Sequence, residues 1–185
     1  MIKKLITSAI LAFAVAVPSA AFASPVTGSF ADHQLLWRAV RQVGVRTVLN
    51  DPKICGDGKR DGAYVSQMRT LFVCQTNGTP GGPQVSWTDD DMDTLRHEAH
   101  HIIQDCAAGD GFGGGFRTLF TDPKTLFEFI DVSEIPVERI IKVYKEEKAS
   151  PQIIILELEA FATAKGVSAL TISTKMVEAC GTLHR

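Results

Sequence analysis

The residues best suited to chemistry in this chain are His97, Glu98 and His101, within the run His-Glu-Ala-His-His. Residues four apart lie on one face of a helix, so His97 and His101 can direct both imidazoles at one metal ion. Glu98 would lie beside that ion, within reach of an attacking water. Two nitrogen ligands and a general base are what zinc-assisted hydrolysis of an amide requires. The spacing therefore predicts a Zn²⁺ site with His97 and His101 as ligands and Glu98 as the catalytic base.

The residues around this motif predict the helix that carries it. Thr88 is a typical N-cap, and the three aspartates at 89–91 complement the positive end of the helix dipole. Gln104 and Asp105 follow on nearly the same face as the two histidines, where either could orient an imidazole, whereas His100 points away and is expected to be structural. The apolar residues keep a helical spacing on the opposite face, at Leu95, Ala99, Ile102, Ile103 and Cys106. The alternative is a surface helix with incidental histidines.

A third ligand is expected from a later helix, predicted over 151–165. Its centre is almost wholly apolar, so this helix should be buried on most sides. Glu157 and Glu159 lie inside it, and a buried glutamate is costly unless it is paired or bound to metal. The two are about 200° apart around the helix, so only one of them can face the metal. Ala160 and Ala164 favour Glu157, because small residues on its face let two helices approach closely, and Glu159 stays open as the alternative.

The first residues of the chain predict export. Two lysines precede an apolar run over 5–17, and the segment ends in Ala-Phe-Ala, the small-residue pattern of a secretory signal peptide. We expect cleavage near Ala23–Ser24, which divides the chain into a signal peptide at 1–23 and a single domain at 24–185. The mature protein is expected to be secreted or periplasmic, and to have no membrane anchor because no later apolar stretch is long enough to span a bilayer.

Charge and cysteine content narrow the class of protein further. The chain has 19 basic and 21 acidic side chains without a basic cluster, which argues against nucleic acid or anionic membranes as partners. We expect a monomer. Four cysteines in an oxidising compartment predict two disulfides rather than a cysteine zinc site, since no Cys-x-x-Cys pattern is present. Cys55 is expected to pair with Cys74 because both flank a hairpin, and Cys106 with Cys180 because both end helices.

The remaining pattern predicts an α+β domain that is mostly helical. Apolar spacing predicts a first helix over 30–49. Five glycines among residues 109–116 must end the motif helix, either as a simple loop or as a mobile flap near the substrate. Three further helices are each expected to have a proline in the first turn, at Pro123, Pro136 and Pro151.

A short β-sheet is predicted ahead of the motif helix. Residues 54–75 alternate in polarity and are broken by a glycine-rich turn. This pattern predicts a strand near Ile54 and further strands at 63–65 and 70–74. Residues 84–87 are expected to add an edge strand just before the motif helix.

Two short segments together resemble the gluzincin branch of the zincin metallopeptidases. Members carry His-Glu-x-x-His on one helix and a glutamate on a later helix as third zinc ligand; the matching segments here are 97–101 and 157–162. The run Glu-Leu-Glu-Ala is similar to a zincin stretch whose first glutamate binds metal, which carries that role onto Glu157. The run Glu-Ala-Phe-Ala is similar to the pattern of thermolysin-like enzymes, which carries it onto Glu159. Both families usually place Asp or Asn nearby, where this chain has Phe or Thr, so the surroundings of the ligands must differ.

The resemblance implies a secreted zinc metallopeptidase acting on a peptide or protein substrate, with Glu98 passing a proton from water to the departing amine. Tyr144 and His184 are candidate donors to the oxyanion. The first alternative is a non-catalytic secreted module that binds metal or a protein partner on the same scaffold. Glu98 argues against it, because a pure binding site needs no base there. The second alternative is a disulfide-bonded interaction domain without metal.

Overall fold

The computed structural model describes residues 27–58, 60–109 and 112–181. The predicted signal peptide and the candidate donor His184 lie outside these residues. Within them the fold is α+β and mostly helical, as predicted, and no helix there has the length and apolar character needed to cross a membrane. The elements are α1 (Phe30–Gln42), β1 (Arg46–Leu49), β2 (Gly62–Val65), β3 (Thr70–Val73), α2 (Asp89–Ala107), α3 (Pro123–Val132), α4 (Val137–Glu146), α5 (Pro151–Gly166) and α6 (Ala169–Cys180), with a 3-10 turn at Ser66–Met68.

The three strands form one mixed sheet in the order β1-β3-β2, ahead of α2 in the sequence. β1 pairs in parallel with β3, and β2 pairs with β3 in antiparallel orientation. The central strand β3 is buried along its whole length. β2 lies at one edge of the sheet and also contacts α2.

The first helix is shorter than the apolar spacing predicts. It ends at Gln42 instead of continuing to Leu49, because Gly44 has a φ of 84°, a left-handed conformation that interrupts a helix. The residues that follow form β1, whose partner β3 is more than twenty residues away in the sequence. The helical spacing was thus overridden by a pairing that no local pattern shows.

Two predicted strands are wrong. The region around Ile54 is a series of turns, in which Asp51 Oδ1 accepts hydrogen bonds from the backbone N–H groups of Lys53 (2.9 Å) and Ile54 (3.2 Å). Residues 84–87 pair with no strand. Instead the side chain of Gln75 donates to the carbonyl of Val85 and accepts from its N–H, both at 2.9 Å, so an amide side chain takes the place of a neighbouring strand.

The helix starts follow the capping chemistry of the sequence. At α2, Thr88 Oγ1 accepts from the Asp91 N–H at 3.2 Å and Asp91 Oδ2 accepts from the Thr88 N–H at 2.8 Å, a capping box that confirms the predicted start. α3 and α5 begin with a proline in the first turn, as predicted. Pro136 differs, because it is the N-cap of α4 and lies just outside the helix.

Two apolar clusters meet at α2 and α5. The first combines α1, the sheet, α6 and the apolar face of α2, including Leu95 and Ile102. The second combines α3, α4 and α5. Both predicted disulfides are present, Cys55–Cys74 and Cys106–Cys180, and the second joins the end of α2 to the end of α6. α2 is therefore held on both sides, which fixes the residues on its remaining face.

Candidate metal centre

His97 and His101 from α2 meet Glu157 from α5, and this group could hold a metal ion. The two Nε2 atoms are 3.1 Å apart, and Glu157 Oε2 lies 3.2 Å from Nε2 of His97 and 3.5 Å from Nε2 of His101. Ligand atoms at about 2.05 Å from a tetrahedral zinc ion lie about 3.3 Å from one another. The three atoms thus have the spacing of one face of a zinc tetrahedron.

The cluster is nearly buried but keeps contact with solvent. His97 and His101 are each 9% exposed, and the Glu157 side chain is 16% exposed. Two phenylalanines line the group: the Phe161 ring centre is 4.3 Å from that of His97, and the Phe116 ring centre is 6.1 Å from that of His101. The three candidate ligands are therefore enclosed by protein but remain partly accessible to solvent.

Glu157 and His101 each shift the pKa of the other. Burial alone would raise the pKa of Glu157, but the hydrogen bonds and charges of His101 and His97 outweigh it and hold the pKa far below its usual range. Burial alone would lower the pKa of His101, but Glu157 outweighs it and raises the pKa to about 9. Metal binding requires a deprotonated ligand nitrogen, so an ion entering the cluster would compete with the proton that Glu157 favours on His101.

Glu98 lies beside the cluster on α2 and next to the sheet edge. It is 8% exposed; burial raises its pKa, and the charges of His97 and His101 oppose that shift. The Tyr64 backbone in β2 lies close enough to lower this pKa as well. The strand comes this close because position 62 is glycine: a Cβ there would lie only 3.1 Å from Glu98 Cγ.

Glu159, the alternative third ligand, does not join the cluster. It is fully buried, and its Oε2 accepts from Gln104 Nε2 at 2.7 Å while its Oε1 accepts from the Leu119 N–H at 2.8 Å. His100 lies on the same side, with Nε2 3.5 Å from Glu159 Oε2. The structure therefore brings Glu157 to the two histidines and keeps Glu159 away from them.

Gln104 fixes the orientation of His101. Its Nε2 donates to two groups that accept, the Leu156 carbonyl at 3.0 Å and Glu159 at 2.7 Å, so its Oε1 must be the atom that faces His101. This oxygen lies 2.8 Å from His101 Nδ1, which must then carry a proton and donate it. His101 consequently presents Nε2 to the cluster, as expected for a ligand oriented by a polar neighbour.

Asp105, the other residue expected to orient an imidazole, has a different task. Its Oδ2 accepts from the Tyr64 hydroxyl at 2.7 Å, and its Oδ1 accepts from the Gly113 N–H at 3.0 Å. Gly113 has a φ of 86°, a conformation that glycine adopts without strain. Asp105 therefore fastens the glycine-rich loop to α2.

Two aromatic residues belong to the site in ways that the sequence shows poorly. The Tyr144 hydroxyl donates to Glu157 Oε2 at 2.7 Å; burial and the charge of Glu157 raise its pKa well above its usual range, so it stays a neutral donor. Tyr144 comes from α4, and no spacing links it to the motif. Phe161 was missed as a lining residue, although it follows Glu157 by four residues and so shares its face of α5.

Comparisons of the chain with protein-family models, with curated proteins and with solved structures find no match.

Proposed function

We propose that this protein is a zinc-dependent peptidase of the zincin type, acting on peptide or protein substrates. The observation that carries the proposal is the meeting of two imidazole nitrogens and one carboxylate oxygen within 3.5 Å, with Glu98 beside them. His97, His101 and Glu157 would hold the zinc ion. When bound, the ion would supply Lewis-acid chemistry, polarising a substrate carbonyl and making an attacking water more acidic.

The protein's own residues then manage the proton and the geometry. Glu98 takes a proton from the attacking water and delivers it to the departing amine nitrogen. Tyr144 keeps its proton on the hydroxyl and steadies Glu157 through the 2.7 Å hydrogen bond.

The position of β2 supports an extended peptide as the substrate. β2 has a sheet partner on only one side among the described residues, so its other side can pair with an added strand. Gly62 in this strand approaches the proposed base, since a Cβ on it would lie 3.1 Å from Glu98 Cγ. A peptide aligned along β2 would therefore pass Glu98 and the metal ligands, beside the rings of Phe116 and Phe161.

Zinc binding is tested first. We expect metal-free protein to take up one equivalent of Zn²⁺ in a competition titration with a chromophoric chelator, and His97→Ala or His101→Ala to abolish this uptake. Glu178→Ala, an exposed substitution on α6, should bind zinc as the unmodified protein does. Full zinc occupancy in either histidine variant, measured by elemental analysis, would refute the site.

Turnover is tested with Glu98→Gln, which removes the base and leaves the three ligands. We expect zinc affinity to change little, and cleavage of a mixed peptide library to fall by about 10²- to 10⁴-fold, the contribution typical of acid–base assistance. The control is Glu178→Gln, the same chemical change on the surface. Equal cleavage by Glu98→Gln would show that Glu98 is not the base. No cleavage by the zinc-loaded protein would favour a non-catalytic metal-binding module.

A further inference from the structure

Glu159 is a buried carboxylate that the proposed reaction does not use. It is fully buried, and its two oxygens face different parts of the structure. Oε2 accepts from Gln104 on α2 at 2.7 Å. Oε1 accepts from two consecutive backbone N–H groups, of Leu119 at 2.8 Å and Phe120 at 3.3 Å. A charge buried in this way must be matched by its partners, so each of these contacts is costly to lose.

Oε2 of Glu159 is connected through Gln104 to the candidate metal ligand His101. A charged acceptor strengthens the hydrogen bond from Gln104 Nε2, and hydrogen bonds in a chain polarise one another. Gln104 Oε1 in turn accepts from His101 Nδ1 at 2.8 Å. The other histidine has no such support, because His97 Nδ1 is buried without a hydrogen-bond partner in the described part of the chain. The two imidazoles are thus chemically inequivalent.

The other side of Glu159 contacts segment 117–120, which follows Phe116, a residue that lines the site. Segment 117–120 donates the two hydrogen bonds that Glu159 accepts from Leu119 and Phe120. It is also held by Gln104, whose carbonyl accepts from the Arg117 N–H at 3.1 Å. Phe116, directly before it, lies against the His101 ring. Gln104 therefore contacts both His101 and segment 117–120, and Glu159 contacts both Gln104 and the same segment.

We propose that Glu159 is a positioning residue that acts through Gln104 to hold His101 and at the same time fastens segment 117–120 beside the metal site. The inference rests on the proposed metal site, with the ion serving as the probe. Coupling of this kind is reciprocal: if an ordered segment favours metal binding, then bound metal orders the segment by the same factor.

The main test is Glu159→Gln, which keeps the size of the side chain and removes its charge. We expect zinc affinity to fall by about 10- to 100-fold, as for other groups that support a metal ligand. We also expect amide hydrogen exchange at 117–120 to be faster than in the unmodified protein and to respond less to zinc. Glu178→Gln, on the surface of α6, should change neither property.

A spectroscopic readout separates positioning from general destabilisation. In the Co²⁺-loaded protein, the ring Nδ1 protons of His97 and His101 give paramagnetically shifted proton NMR signals. In Glu159→Gln we expect the His101 proton to exchange faster with water and its signal to move, while the His97 signal stays in place. Equal movement of both signals, or of neither, would overturn the inference.

If Glu159→Gln does not fold, a second variant, Gln104→Met, can still test the inference. It removes the link to His101 but leaves both bonds between Glu159 and the 119–120 backbone. We expect weaker zinc binding with nearly unchanged exchange at 119–120 in the metal-free protein, and unchanged zinc binding would overturn the inference. If the unmodified protein itself binds no zinc, the proposed function fails. In that case unaltered exchange at 117–120 in metal-free Glu159→Gln would refute the fastening role as well.

Discussion

Gly62→Ala tests the close approach of the edge strand to the motif helix. A Cβ at this position would lie 2.6 Å from Thr94 Cγ2 and 2.8 Å from the Phe72 carbonyl oxygen. Comfortable contacts between carbon atoms begin at about 3.5 Å, so the strand must move away by several tenths of an ångström or more. Overpacking of this kind costs about 1–3 kcal/mol. With a urea slope of about 2 kcal/mol per molar, the unfolding midpoint should fall by about 0.5–1.5 M.

The displacement of β2 in Gly62→Ala should lower the rate of turnover while leaving metal binding unchanged. β2 would move away from Glu98, and a shift of about 1 Å in the groups around a base can cost about 10²-fold in rate. The ligands His97, His101 and Glu157 lie on α2 and α5, so zinc affinity should stay nearly unchanged. Urea unfolding followed by tryptophan fluorescence, zinc titration and peptide cleavage measure the three effects on one preparation.

Gly166→Ala is the matched control. Gly166 is the last residue of α5, and a Cβ there would have no neighbouring heavy atom within 4 Å. Alanine is favoured over glycine in a helix by up to about 1 kcal/mol, so this variant should be as stable as the unmodified protein or more so. Equal urea midpoints for Gly62→Ala and Gly166→Ala would refute the reasoning about β2.

Two further predictions concern the hydrogen bonds of Tyr144 and of His33. Tyr144→Phe should weaken zinc binding by about 10-fold, because its hydroxyl supports a ligand carboxylate, whereas Tyr64→Phe, which loses a similar bond to Asp105, should bind zinc normally in a chelator titration. Equal affinities would contradict this role of Tyr144. His33 is buried, donates a hydrogen bond to the Ser29 carbonyl and accepts one from Arg96. Burial and the charge of Arg96 lower the pKa of His33. The stability that neutral His33 contributes is therefore complete above about pH 6.5 and is lost as the pH falls further. In His33→Gln the free energy of unfolding should therefore decline less between pH 7 and 5 than in the unmodified protein, and parallel declines in urea titrations would count against a neutral His33.

The features that the sequence predicts well depend on contacts within one or two helical turns. The Thr88 cap involves a residue three positions away, and His97 and His101 share a face because they are four apart. Gln104, three residues after His101, could be placed beside it for the same reason. Local spacing was sufficient for these contacts because the helix itself supplies the geometry.

The features that the sequence predicts poorly depend on distant partners. The residues of β1 have the spacing of a helix, and they form a strand only because they pair with β3. Residues 84–87 have the pattern of a strand, but the side chain of Gln75 makes the hydrogen bonds that a neighbouring strand would make. Glu157 and Glu159 have nearly the same neighbours in sequence. Which of them faces the histidines depends on how α5 is rotated against α2, and this is set by the packing of the whole second cluster.

The disulfide between Cys106 and Cys180 has a consequence for cleavage of the chain itself. It closes a loop that contains the glycine-rich segment, segment 117–120 and Glu157. A single cut between Cys106 and Glu157 would put the two histidines and the glutamate on different fragments, which the disulfide would keep covalently joined. The histidines on one fragment would then remain tethered to the glutamate on the other. A nicked molecule should therefore keep its ligand set and lose it only after reduction.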